Sequence, residues 1–185
     1  AITDGDTQQI LSVGEGQLML ADIVDVNPGE KGSPGELKGS FLRENRLLGD
    51  IRENTALGLY GGWTADAVHP LYPNGLPIGR KDAVHTGKAS ILSTIGPEGM
   101  REFDIEITRV YSQDAPAQKS MVIRVTDPRL LATTGGIVQG MSGSPILQDG
   151  RIVGAVTHVY VSDPTQGYGL YIEWMMQEAL AAGED

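Results

Sequence analysis

The sequence predicts a mainly β chain of short antiparallel strands, with a single helix at its C-terminus. Three observations carry this expectation. Gly and Pro together supply 35 of the 185 residues, about 19% against a usual ~12%, and they are spread along the whole chain as tight turns between strands require. Phe103, Ile105 and Ile107 alternate with Glu102, Asp104 and Glu106, the period-two pattern of a strand with one dry and one wet face. Asp149-Gly150 separates two apolar runs and suits a type I′ hairpin, because both residues tolerate positive φ. With 185 residues, 40% of them hydrophobic, the chain can bury a sizeable core as one domain or as two small halves around one cleft.

Taken in order, residues 5–41 alternate short apolar runs (Leu18-Met19-Leu20, Ile23-Val24) with Gly, Pro and Asp. Residues 27–35, Asn-Pro-Gly-Glu-Lys-Gly-Ser-Pro-Gly, form a loop by composition. Residues 47–60 fit more than one element. Gly61-Gly62 and residues 69–77 read as an irregular connection between two halves, 1–80 and 81–185, with the break near 75–87. Strands are expected at 88–95 and 101–111 around a Gly96-Pro97-Glu98-Gly99 hairpin loop, and at 121–125, where Met121, Ile123 and Val125 alternate with Val122 and Arg124. Strands at 145–148 and 151–161 flank the Asp149-Gly150 turn. Only residues 173–182 read as a helix, with Trp174, Met175 and Leu180 among several Ala and a Gly183 stop.

Composition excludes several classes of function. Fourteen Lys and Arg against 24 Asp and Glu leave a net charge of −10, and no basic cluster interrupts it, so a phosphate backbone would be repelled. The absence of Cys excludes disulfides, thiolate metal sites and a cysteine nucleophile, and decides no compartment. No apolar run approaches the ~20 residues of a membrane-spanning helix. Asp4-Gly5-Asp6 opens like a calcium loop but lacks the later ligands and the twelfth-position Glu, so an Asx-type turn is expected there and no metal or other cofactor.

The informative segment is Gly140-Met141-Ser142-Gly143-Ser144-Pro145. A serine nucleophile needs a tight turn that projects Oγ while backbone N–H groups face the forming oxyanion, and the flanking glycines permit such a turn. The N–H groups of Gly140 and Ser142 would form the oxyanion hole. By itself the segment equally fits a Gly/Ser loop between strands. It does not fit the Gly-x-Ser-x-Gly elbow of α/β-hydrolases, which feeds a helix.

Over a longer window, Thr126-Asp127-Pro128-Arg129-Leu130-Leu131, the run Thr134 through Pro145, Gly154-Ala155-Val156-Thr157-His158-Val159, Tyr168-Gly169 and Ile172-Glu173-Trp174-Met175 resemble the SpoIVB-type serine peptidase family. The resemblance is dense from about residue 116 to 175. Upstream it is looser, with Gly49-Asp50-Ile51 and Gly87-Lys88-Ala89 keeping the pattern. It implies a chymotrypsin-like double β-barrel with the active site between the barrels, Ser142 as nucleophile and Asp127 as the carboxylate that orients the base. Read without the family, Asp127 before Pro128 is equally a turn residue.

The mechanism needs a histidine. His69 and His85 read as loop residues, and His158, on the strand after the Ser142 hairpin, as a substrate contact in the cleft or a packed imidazole. The family carries its catalytic histidine in a Gly-His pair followed by a segment resembling Ala1-Ile2-Thr3-Asp4-Gly5-Asp6-Thr7, which puts it one residue before Ala1. The sequence is therefore read as a fragment or mature form, inactive as written for want of that base. The resemblance further implies an upstream PDZ domain and an extracytoplasmic location between forespore and mother-cell membranes. Its expected partner there is a membrane-associated regulator, cleaved to activate a late sigma factor. The rival readings are a peptide-binding module on a peptidase fold and an exported hydrolase of other acyl groups.

Overall fold

The computed structural model describes residues 1–182 except Gly5, Gln8, Gly14, 42–46, Ala65 and Ala67. The proposed Gly183 helix stop, and Gly5 within Asp4-Gly5-Asp6, lie outside the described residues.

The first half is built of two-stranded ribbons. β1 (Gly16–Met19) pairs with β4 (Leu47–Ile51), β2 (Ala21–Asn27) with β3 (Glu36–Phe41), and β5 (Glu53–Asn54) with β6 (Leu59–Tyr60), all antiparallel. The Pro- and Gly-rich 28–35 segment connects β2 to β3, as its composition predicts. Among the described residues these ribbons do not join into a second closed barrel. Val24, Phe41, Leu47 and Trp63 are left exposed on them.

The second half closes. β7 (Gly87–Thr94), β8 (Met100–Val110) and β9 (Met121–Val125) form a meander, and β10 (Pro145–Gln148), β11 (Arg151–Tyr160) and β12 (Asp163–Tyr171) complete a six-stranded antiparallel barrel in the order β7-β8-β9-β12-β11-β10. β10 closes it on β7, with Ile146 opposite Ile91. The predicted alternation holds: Phe103, Ile105 and Ile107 are buried, as are Met121, Ile123 and Val125. At the Asp149-Gly150 turn φ is 52° and 71°, both in the left-handed region that a type I′ turn requires.

Not all the glycine belongs to turns. Gly154 and Gly169 lie within β11 and β12, where a Cβ would run into the Leu170 carbonyl and the Ile146 side chain respectively. A six-stranded barrel is narrow, and large side chains such as Met121 pass where these glycines leave room.

Two α-helices and a short 3-10 helix at Lys81–Ala83 complete the described residues. α2 (Ile172–Ala182) packs on the barrel through buried Trp174, whose Nε1–H donates to Gln113 Oε1 at 2.9 Å. It also reaches the first half, where Thr55 Oγ1 donates to Glu178 Oε2 at 2.5 Å. α1 (Pro128–Thr134) corrects the expectation of a single helix. Its signature was in the sequence: an N-cap Asp, Pro in the first turn and a C-cap Gly, here Asp127, Pro128 and Gly135 (φ 72°).

Candidate active site

The Ser142 turn lies between α1 and β10. Its core anchor is Met141, fully buried, while the next residue, Ser142, is exposed. Gly140 and Gly143 have φ of 96° and 91°, a region L side chains rarely adopt, so glycine at both positions lets the chain turn sharply enough to set Ser142 apart from its neighbours. Three backbone bonds fix the downstream side: Gly143 N–H to Val156 O at 2.8 Å, Ser144 N–H to Met141 O at 3.0 Å and Val156 N–H to Ser144 O at 2.9 Å. Met141 N–H donates to Val138 O at 3.2 Å. The N–H groups of Gly140 and Ser142 donate to no acceptor among the described residues. The turn thus leaves open the two amides that the sequence nominates as oxyanion donors.

Ser142 Oγ donates to the carbonyl of Thr157 at 2.9 Å. It faces a cleft of about 920 Å³ lined from the barrel by Gln139, Ser142, Thr157 and His158 and from the first half by Ala1, Ile2 and Thr3. No Asp, Glu, Lys or Arg side chain lines it among the described residues. The cleft therefore suits uncharged side chains of a bound chain.

The N-terminal segment is held at this cleft by a small antiparallel ladder, with Leu11 N–H to Ile2 O at 3.0 Å and Asp4 N–H to Gln9 O at 2.8 Å. Asn54 of β5 then clamps it. Ile2 N–H donates to Asn54 Oδ1 at 2.8 Å, and Asn54 Nδ2 donates to Ile2 O at 2.7 Å and Leu11 O at 3.0 Å. Asp4 forms the expected Asx turn, its Oδ1 accepting from Asp6 N–H at 3.1 Å and Thr7 N–H at 2.7 Å.

Asp127 follows β9 and is not among the residues that line the cleft; it is 2% exposed, and its carboxylate is engaged by donors of Arg129 and Asp104. Oδ1 accepts from Arg129 N–H at 2.8 Å and Arg129 Nε at 3.0 Å; Oδ2 accepts from Arg129 Nη2 at 2.6 Å and Asp104 N–H at 3.2 Å. The Arg129 bonds hold its pKa far below the usual carboxylate range, with the backbone donors of Asp104 and Arg129 adding to the effect. The geometry makes Asp127 the cap of α1 and a tie between β8 and β9.

The three histidines divide. His69 Nδ1 accepts from Leu71 and Tyr72 N–H at 3.3 and 3.0 Å, so it closes a local turn. His85 lies by the Asp149 turn at the far end of β10 from Ser142, with Nε2 3.0 Å from Asp149 Oδ2 and Nδ1 donating to Thr86 O at 2.9 Å. His158 does line the Ser142 cleft. Burial lowers its pKa, and the positive charge of Lys119 adds to the effect. None of the three accepts the Ser142 hydroxyl proton; Thr157 does, through its carbonyl. Side-chain patterns gave no signal for the parts played by Thr157 and Asn54, since one acts through its backbone and the other is a lone amide in a two-residue strand.

The profile described as SpoIVB peptidase S55 matches residues 1–176, taking in both the N-terminal ladder and the Ser142 turn. The chain belongs to the SpoIVB peptidase S55 family. No curated protein and no solved structure matches it. Membership makes the chain a serine peptidase by family, and the closed barrel with its C-terminal helix is in keeping with a chymotrypsin-like fold. Among the residues of the S55 chain that meet at the cleft are Gln139, Ser142 and Gly143 of the turn and the segment beginning at Ala1.

Proposed function

We propose that this S55 chain is the catalytic core of a serine endopeptidase in which Ser142 attacks the scissile carbonyl and the N–H groups of Gly140 and Ser142 receive the oxyanion. The base is a histidine immediately upstream of Ala1. One observation carries the reading: Ser142 and Ala1 line the same cleft, which favours a base carried by a residue bonded to the Ala1 nitrogen. In the reaction that histidine takes the Ser142 proton as Oγ bonds to the carbonyl carbon, then returns it to the leaving amine as the peptide bond breaks. Water, activated by the same ring, releases the acyl group. Without the base, turnover falls by orders of magnitude, because a nucleophile and its base act as one unit.

The substrate is a protein chain with uncharged side chains at the cleft, in keeping with the uncharged lining. Family membership supports an extracytoplasmic role in sporulation signalling: cleavage of a membrane-associated regulator between the forespore and mother-cell membranes, with a PDZ domain upstream in the same protein.

The test is labelling with a fluorophosphonate probe in the chain carrying its upstream residues. Ser142→Ala is expected to abolish labelling and casein turnover, and Ser144→Ala to retain both. Labelling that survives Ser142→Ala overturns the assignment. A second reading, a peptide-docking module, draws on the Ser142 hydroxyl being bonded to Thr157 O rather than to a ring nitrogen. It predicts that the upstream-extended chain binds peptides but neither labels nor turns over.

A further inference from the structure

We propose that Leu37 is the positioning residue of the oxyanion turn, acting through its backbone N–H. The proposal rests on the reading of Ser142 as nucleophile. The downstream side of the turn is fixed by the barrel through Gly143, Ser144 and Val156, but its upstream side is held by the first half instead. Gln139 forms an isolated parallel bridge with Glu36. Its N–H donates to Gly35 O at 2.8 Å, and its carbonyl accepts Leu37 N–H at 2.8 Å.

That carbonyl and the Gly140 N–H belong to one planar trans peptide, so they point in opposite directions. Holding Gln139 O against Leu37 therefore aims the Gly140 N–H away from β3, on the side where an oxyanion beside Ser142 is received. The tether is needed because Gly140, at φ 96°, has no side chain to resist rotation of that peptide. Released, the peptide can turn over and present its carbonyl to the oxyanion, replacing attraction with repulsion. The Leu37 side chain adds a lid: a Cβ on Gly140 would lie 3.1 Å from Leu37 Cβ. Leu37 is half-buried and packs against the barrel core. Half of the oxyanion site is thus set by the β2–β3 ribbon, outside the barrel that carries the nucleophile.

The experiment replaces the Leu37 N–H with an ester oxygen, by incorporating the α-hydroxy analogue of leucine at position 37 of the full chain with its upstream residues. The side chain is kept. kcat is expected to fall about 100-fold, the usual scale for losing an oxyanion donor, with KM changed by less than about threefold. Affinity for a peptide boronate, which forms a tetrahedral adduct on Ser142, should fall in step with kcat, while affinity for the matching unreactive peptide amide stays. Leu37→Ala retains the N–H and should lose less than the ester does; Leu37→Pro, which lacks the N–H, should match the ester. An ester variant that binds boronate and turns over like the parent overturns the proposal. So does a loss in which the unreactive peptide weakens equally, since that marks a general loosening of the cleft. If the unmodified chain itself binds no boronate, the Ser142 reading fails instead.

Discussion

The side-chain amide of Asn54 brackets Ile2, accepting its N–H at 2.8 Å and donating to its carbonyl at 2.7 Å. The bracket fixes the chain at Ile2, which lines the Ser142 cleft together with Ala1. Asn54→Ala is expected to remove three hydrogen bonds at a cost of about 1 kcal/mol each at most, given partial exposure. Turnover by the upstream-extended chain should drop about tenfold or more, since small displacements of a catalytic group are costly. Fluorophosphonate labelling rates beside thermal unfolding check this: a variant that unfolds at lower temperature yet labels at the parental rate refutes the link to the cleft.

His85 is expected to be dispensable. Its ring is occupied by Thr86 O and Asp149 at the hairpin end away from Ser142. His85→Ala should leave kcat/KM within about twofold, whereas His158→Ala should change KM because His158 lines the cleft. Peptide turnover by the two variants settles it, and a His85→Ala enzyme without activity would make that residue the base in place of the upstream histidine.

Asp127 gives a pH dependence with a definite sign. Its folded pKa is depressed by Arg129 and backbone donors, so its contribution to stability is complete above the unfolded value of about 3.9. It is lost as pH falls below that value toward the depressed folded one. Unfolding temperature measured from pH 6 down to pH 2 should decline for the parent and decline less steeply for Asp127→Asn, which is already less stable at pH 6. If the two curves run parallel, the capping account of Asp127 is wrong.

Gly136 should be intolerant of a side chain. Its φ is 142°, and a Cβ would overlap the Pro164 carbonyl, close to where Ile137 N–H donates to Pro164 O at 2.7 Å. Gly136→Ala is expected to lower stability by roughly 1–3 kcal/mol from backbone strain alone, read as a reduced denaturation midpoint. An unchanged midpoint would mean that the loop moves freely.

The sequence made the barrel half legible because its signals are local. Alternation along 101–107, the Gly96–Gly99 loop and the Asp149-Gly150 turn each depend on residues a few positions apart, and each appears in the structure where expected. The Ser142 turn was legible for the same reason. The cap role of Asp127 was not legible because one dipeptide, Asp-Pro, serves a turn, a helix start and a family's catalytic acid alike; it shows only once Arg129 and the Asp104 amide are in place. β12 was missed because its glycines obscure any alternation. The ribbons of the first half and the Asn54 bracket join residues far apart in the chain, and no local pattern announces such contacts.

The Ser142 turn stands immediately before β10, the strand that closes the barrel against β7. Pairing Ile146 with Ile91 demands a long loop closure, whereas β7, β8 and β9 need only adjacent hairpins, so chain entropy favours the meander first and closure afterwards. Until β10 and β11 are in place, the acceptor for Gly143 N–H and the donor to Ser144 O are missing, and Ser142 is an ordinary serine in an open loop. Cutting power therefore arrives only with the finished fold. A half-folded copy, the species whose exposed strands are most vulnerable to proteolysis, has no means of attacking itself or its unfolded siblings.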